Sequence, residues 1–326
     1  MKVLITGGAG FVGSHLTDAL LGQGHEVSVL DPGSDFRVRH HMANPSFHYV
    51  RDSVFNEEML EALVYRADLI YHLAAVVGVE HYVADPYQVL QVNINGTQNV
   101  LGLAHKYNKR VVFASTSEVY GRNPNPPFRE DDERVLGSVR KDRWCYATSK
   151  AAAEHFCLAY LKLGLRVTIT RYFNVYGPRL DQVDKGRVIT IFLGQILRGE
   201  PVTVIGDGGQ TRSFTYIEDA IRATIAAGMK PEALGGIFNI GSDAEISILE
   251  LARQMIRISG SSSPIQFVSQ ENVYGKSYED IPRRVPDIQR MRTILGEEPR
   301  IGLEEGLRRT IAWYRRETSS KEIVRV

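Results

Sequence analysis

KVLITGGAGFVG, residues 2–13, opens on a short apolar strand and runs without a spacer into a glycine-punctuated turn. An amphipathic stretch, FVGSHLTDALLGQG, follows at once. Gly7, Gly10 and Gly13 stand in G-x-x-G-x-x-G spacing. Glycine lets the backbone turn sharply and approach a bulky anion, and the helix behind it offers unpaired amides and its positive dipole end. A glycine-rich turn alone is only a turn. Here strand and helix flank it as a pyrophosphate-binding loop requires, so the segment reads as the start of a dinucleotide-binding βαβ unit.

Working outward, strand-like and helix-like stretches alternate: EVSVLD, EEMLEALVYRA, DLIYHLA, a helix around QVLQVNINGTQNVLGLAHKY, RVVFAST, a helix from about Tyr146 to Lys162, and RVTITRYF. This alternation predicts right-handed crossovers and a doubly wound parallel sheet, an α/β Rossmann domain. After Gly177-Pro178 the regularity stops. VITIFLGQILRGE and PVTVIG suggest a smaller mixed α/β substrate-binding lobe, while RSFTYIEDAIRATIAAGM and GGIFNIGS read as a return to the sheet. The expected organisation is a nucleotide-binding domain over 1–175, with 211–242 returning to it, and a lobe built from 176–210 and 243–326.

Lysine plus arginine number 39 against 38 aspartate plus glutamate, a formal net charge of +1, and no block of like charge stands out. Neither nucleic acid nor a membrane surface is an expected partner. The opening lacks a basic, then apolar, then small-residue leader, and the apolar stretch ALVYRADLIYHLAAVVGV is interrupted by Arg66, Asp68 and His72. A cytoplasmic protein is expected. The two cysteines, Cys145 and Cys157, have neither C-x-x-C spacing nor a secretory context. The nine histidines include the pair His40-His41 but no H-E-x-x-H, so no metal is expected.

Asp31 ends the second strand about 20 residues beyond the glycines, where a carboxylate can accept hydrogen bonds from the adenosine ribose. A 2′-phosphate would meet a like charge there, which favours NAD over NADP. Asp31-Pro32-Gly33 is also a plausible capped turn, and Arg37 and Arg39 lie near enough to serve a phosphate. Tyr146 and Lys150 are four apart, hence on one helix face. A phenol of pKa about 10 is a poor base at neutral pH, and a neighbouring ammonium and a positive nicotinamide ring are expected to lower it.

Thr6 to Gly13, HLAA at His72 to Ala75, STSEVYG from Ser115, Tyr146 with Lys150, and RYFNVYGPR from Arg171 together resemble the extended short-chain dehydrogenase/reductases that act on nucleotide-sugars. GRVITIFLGQILRGEPVTVIGDGGQTRSFTYIEDAI and YGKSYEDIPRRVPDI are similar to one branch, the UDP-glucuronic acid decarboxylases, which includes the UDP-xylose synthases and the decarboxylase domain of the bifunctional polymyxin-resistance enzyme. The resemblance implies that Thr116 and Tyr146 contact the sugar 4-hydroxyl and that Lys150 holds Tyr146 and the nicotinamide ribose. NAD contacts are implied at Phe11, Val12, Asp52 and Ser53, at Leu73, Ala74, Ala75 and Asn93, and at Ser115 and Tyr172. Substrate contacts are implied at Asn174, Arg187, Val188, Thr203, Arg212, Tyr278 and Arg284, the arginines suited to phosphate or carboxylate.

The implied reaction oxidises carbon 4 of UDP-glucuronic acid, releases carbon dioxide from the resulting β-keto acid, and ends at UDP-xylose or the UDP-4-keto-pentose. Within the T-S-E run of Thr116, Ser117 and Glu118, glutamate separates the branches. Decarboxylases carry TSE, many UDP-glucuronate epimerases have serine in place of the glutamate, and dTDP-sugar dehydratases usually place an aspartate before it. GDP-mannose dehydratases share a similar TSE, but the second half of this chain is less like theirs. Thr116, Ser117, Glu118, Tyr146, Lys150 and Arg284 are therefore the expected catalytic set. A UDP-sugar 4-epimerase and a catalytically idle NAD-binding redox sensor are the alternatives. Val89, Val92, Phe156, Leu158 and Tyr160 exceed what one helix face buries, and a homodimer is expected.

Overall fold

The computed structural model describes residues 1–183, 186–269 and 281–319. Strand β1 (Lys2–Thr6) leads through the glycine turn into α1 (Phe11–Gly22), then β2 (Glu26–Leu30) and β3 (Phe47–Val50). Helix α2 (Glu57–Arg66) is capped by the Asn56 side chain, which accepts a hydrogen bond from Met59 N, and precedes β4 (Leu69–His72). Helices α3 (Val79–Ala84) and α4 (Pro86–Leu90) come next. The helix expected around residues 88–107 is interrupted by a π turn, Gln91–Gly96, before α5 (Thr97–Lys106). The turn buries Asn93, whose side chain bonds both backbone groups of Val76 and the Ser149 hydroxyl. Strand β5 (Arg110–Thr116), a 3₁₀ turn (Ser117–Tyr120), α6 (Arg143–Lys162) and β6 (Arg166–Tyr172) complete the first half.

The remaining elements are β7 (Val175–Tyr176), α7 (Val188–Arg198), β8 (Val202–Ile205), β9 (Thr211–Ser213), β10 (Thr215–Tyr216), α8 (Ile217–Met229) and β11 (Ile237–Ile240). They are followed by β12 (Glu245–Ser247), α9 (Ile248–Ser259), β13 (Ile265–Val268), β14 (Arg283–Arg284) and α10 (Leu303–Ser319). Seven strands form one parallel sheet in the order β11-β6-β5-β4-β1-β2-β3. Val3, Leu4, Ile5, Ile70 and Val111 are almost wholly buried along it. Burying such a side chain contributes roughly 1.5–3 kcal/mol, and helices on both faces provide the cover. Strand order reverses between β1 and β4, the switch point where this architecture binds ligands.

Two expectations shift. Strand β3 was not singled out from the sequence, because FHYV is short and only Phe47 of it is fully buried, as befits a sheet edge. Residues Thr211–Ser213, placed with the return to the main sheet, pair instead with β12 and β14 in a small sheet. The return is made by α8, which packs on α1, β5 and β6, and by β11. Among the described residues no helix is long and apolar enough to cross a membrane.

Candidate active site

The glycine turn forms one wall of a cavity of about 1320 Å³ at the switch point. Gly7 has φ +74°, and a Cβ there would sit 2.7 Å from the Ala74 nitrogen. At Gly13 a Cβ would lie 2.4 Å from the Gly7 carbonyl oxygen. A side chain at either position would displace backbone, and the close approach brings the backbone of Gly7, Gly10 and Gly13 to the cavity wall, with the Gly10 amide closing the turn on the Gly7 carbonyl at 3.2 Å. Phe11, Val12, Leu73, Ala74, Ala75 and Ser53 also line it. Asp31 lines it too, taking the Ala9 amide at 3.0 Å and the Gly33 amide at 2.8 Å. Burial pushes its carboxyl above the ordinary range, and those two amides pull it back only in part. Thus Asp31 ties the glycine loop to its own turn while facing the cavity. The cradle and this carboxylate fit a dinucleotide.

Asp52 stands behind the wall, bonded to Ser53 N and to the Asn56 amide. Asn93 acts from behind as well, holding the Val76 backbone of a loop that lines the cavity. Arg37 and Arg179 bond each other's backbone carbonyls, and Arg39 lies over Phe36, so each arginine offered to a 2′-phosphate has an internal contact.

A second cavity, of about 450 Å³, adjoins the first and shares Phe11, Val12, Leu73 and Ala75 with it. Helix α6 sends Tyr146 and Lys150 into it from one face, beside Ser115, Thr116, Ser117 and Tyr172. Lys150 Nζ donates to the Ala114 carbonyl at 2.8 Å, and burial lowers its pKa to about 8. The Tyr146 phenol is hydrogen-bonded to the Thr116 side chain. Burial, with the Glu118 charge, pushes it above its ordinary value, and Thr116, Arg187 and Arg284 oppose without prevailing. The lowering expected at Tyr146 is therefore not supplied by the chain's own groups, because desolvation of a fully buried phenolate outweighs them. Ser115 donates its hydroxyl to Glu154, which also takes Arg171 through both oxygens, so strand β6 and helix α6 are locked together under the couple.

Glu118 and Arg284, distant in sequence, meet in an ion pair at the far wall. Glu118 Oε1 also accepts from Arg143 at 3.1 Å. Its Oε2 is buried and has no hydrogen-bond partner among the described residues. Burial would raise this carboxyl, but the charges of Arg143, Arg284 and Arg212 hold it at about 2. The turn is capped by Thr116, whose hydroxyl accepts the Glu118 amide, so Glu118 itself is left for the cavity. The adjacent arginines part company: Arg283 has 47% of its side chain exposed and pairs with Glu245, whereas Arg284 has 11% exposed and also donates to Asn174 Oδ1. Asn174, at φ +37°, further donates to the Ser213 carbonyl. Arg187, Val188, Thr203 and Arg212 complete the wall, Arg187 lying over the Phe11 ring and 3.8 Å from Asp181. Tyr278 lies outside the described residues.

Residues 3–241 match the NAD dependent epimerase/dehydratase family. The chain belongs to that family. It is 42% identical to a UDP-N-acetyl-alpha-D-glucosaminuronate decarboxylase of Bacillus cytotoxicus, over 96% of this chain and 98% of that protein. To UDP-glucuronic acid decarboxylase 1 of Xenopus tropicalis it is 40% identical, over 97% of this chain and 72% of that protein. The crystal structure of UDP-glucuronic acid 4-epimerase from Bacillus cereus, in complex with UDP-glucuronic acid and NAD, is similar at TM-score 0.87 and 31% identity, covering 97% of this chain and all of that one.

Within this epimerase/dehydratase frame the residue that sequence reading missed is Arg143. The helix was expected to start near Tyr146, but it begins at Arg143, which places that side chain one turn before the tyrosine and on the same cavity. A helix start placed one turn earlier would have revealed it. The His40-His41 pair also gains a place: both Nε2 atoms reach Asp18 Oδ1, at 2.9 and 2.7 Å, while Arg179 takes Oδ2. The guanidinium on that carboxylate disfavours a cation, and the cluster reads as the anchor of the 35–41 turns.

Proposed function

We propose that this chain is an NAD-dependent decarboxylase of UDP-glucuronic acid, working through a 4-keto sugar. The observation that carries the reading is the buried carboxylate of Glu118, paired with Arg284 in the cavity that holds Tyr146 and Lys150. NAD, when bound, supplies the reversible hydride acceptor for carbon 4. Tyr146, hydrogen-bonded to Thr116, is placed to act as the phenolate that takes the 4-hydroxyl proton and becomes the neutral phenol, with the Lys150 ammonium and the positive nicotinamide ring favouring that phenolate before the step. Once carbon 4 is a ketone, the substrate carboxylate is β to a carbonyl. Its C–C bond breaks with the electron pair entering an enolate, and one solvent proton is taken up at carbon 5 for each carbon dioxide released. Arg284 has the charge and fork for the substrate carboxylate. Glu118, held ionised, is a hydrogen-bond acceptor that orients the water delivering the proton.

Incubation with NAD and UDP-glucuronic acid, followed by product mass and carbon dioxide, tests this. Loss of one carbon dioxide is expected; an isomer of unchanged mass would point to 4-epimerisation instead. The 42% identity to the B. cytotoxicus decarboxylase favours a second uronate, and UDP-N-acetylglucosaminuronate belongs in the same assay. Both cysteines are free, which suits a reducing cytoplasm. The homodimer proposal rests on the half-buried Val92, Phe156, Leu158 and Tyr160, the last three packed in part against the core under α6; Val89 drops out because it is wholly buried with Tyr82 and Tyr146. Sedimentation giving a monomer at micromolar concentration would reject it.

A further inference from the structure

We propose that Arg143 is a positioning residue for decarboxylation, keeping hold of the Glu118 carboxylate when Arg284 turns to the carboxylate of the substrate. The role presupposes the decarboxylase reading above. Two guanidinium groups share one oxygen of Glu118: Arg143 donates to Oε1 at 3.1 Å and Arg284 contacts the same atom. Oε1 has lone pairs for both, so Glu118 stays fastened to α6 through Arg143 when Arg284 is drawn to a second carboxylate. The two are carried by different elements. Arg143 is 2% exposed and sits in the first turn of α6, one turn before Tyr146. Arg284 comes from a two-residue strand paired with β9 and divides its guanidinium between Glu118 and Asn174 Oδ1. In this division the helix retains Glu118 through Arg143, beside Tyr146, and the strand supplies the arginine that is shared with substrate.

Charge favours the same division. The groups acting on Glu118 are Arg143 from α6, Arg284 from β14 and Arg212 from β9, with Tyr146 from α6 facing it as a titratable neighbour. Against the burial that would otherwise neutralise the carboxyl, Arg143 acts through its charge and Arg284 through both its charge and a hydrogen bond. With Arg284 engaged by substrate, Arg143 becomes the principal charge keeping Glu118 ionised in a buried position. Without it, the Glu118 pKa rises, and the ionised form is lost as pH falls through the raised value.

The test is single-turnover kinetics of full-length Arg143→Met and Arg143→Lys across pH, with wild type alongside. In Arg143→Met, carbon dioxide release is expected to fall by about 100-fold at neutral pH, the scale of a lost acid/base group. NADH should still appear within a few-fold of the wild-type rate, and carbon dioxide release should recover as pH rises, giving an acid limb that wild type lacks. Arg143→Lys, which keeps the charge but not the fork, should remove that acid limb while remaining about tenfold slow. A merely structural role would lower oxidation and decarboxylation together and show no recovery with pH. Wild-type carbon dioxide release in Arg143→Lys, or equal loss of both steps at every pH, overturns the proposal. Should Arg143→Met fail to fold, the lysine variant decides on the same criteria. If wild type itself releases no carbon dioxide from either uronate, the decarboxylase reading has failed rather than the role of Arg143.

Discussion

From Gly7 to Asp31 the dinucleotide cradle is nearly one run of chain, whereas the wall opposite Tyr146 joins Glu118, Arg143, Arg212 and Arg284 from a 3₁₀ turn, a helix and two short strands. The first surface acts mainly through backbone: tight turns, a helix N-terminus and the absence of side chains. The second acts through side-chain charge concentrated in buried positions, and its effect on Glu118 depends on several residues at once. Damage to the cradle should therefore weaken binding, while damage to the wall should leave binding and stop a chemical step.

Tyr146 stands at the seam of the two, and Tyr146→Phe is expected to have the largest effect. The change removes only the phenolic oxygen, so NAD binding should persist while oxidation falls by about 10²–10⁴-fold, the range of general acid–base catalysis. Stopped-flow absorbance of NADH measures it; a rate near wild type would assign the proton to another group. Next come Glu118→Gln and Arg284→Ala, each expected to slow carbon dioxide release by about 100-fold with NAD affinity unchanged. If both variants release carbon dioxide at the wild-type rate, the far wall has no part in decarboxylation and the epimerase reading returns.

Acid unfolding sharpens the contrast from the stability side. The Glu118 pKa is lowered from 4.5 to about 2 in the folded protein. Its contribution is thus fully present above the unfolded value and is lost as pH falls toward the folded one. Glu118→Gln should remove that part of the acid dependence between those limits, which circular dichroism across acid pH would detect. An acid limb identical to wild type would mean that the three arginines gain nothing from its charge.

Legibility in the sequence followed the same division. Gly7, Gly10 and Gly13, Asp31, and the Tyr146–Lys150 spacing are local patterns, and each lands where its spacing placed it. Arg143 was invisible because its role depends on where α6 begins, a boundary that no cap marks: Asp142 makes no side-chain capping bond. The opposite fates of Arg283 and Arg284 follow from alternation along a strand only two residues long, too short for any pattern to declare. Asn93, matched to a cofactor contact by resemblance, is instead buried behind the loop by a π turn that no periodicity announces.

The smallest expected effect is at Asp31, where cradle and charge overlap. Its two oxygens hold the Ala9 and Gly33 amides, so part of its role is to fasten the glycine loop, as a capping residue would. Each oxygen retains a further lone pair, and the side chain lines the cavity, so the ribose hydroxyls can still be accepted. Replacement by alanine should weaken NAD binding by about tenfold, near 1.4 kcal/mol, because loop and ribose contacts are lost together. NADP should be less affected, since removing the carboxylate also removes the repulsion of its 2′-phosphate. The decisive quantity is the ratio of the two affinities by calorimetry: wild type should favour NAD, and Asp31→Ala should bring the ratio toward one. Asp31→Asn separates the two roles, since its amide oxygen can keep one loop contact without the charge. If the ratio collapses in both variants, charge sets cofactor choice; if only alanine weakens binding and the ratio never moves, Asp31 is a loop fastener and the preference for NAD lies elsewhere.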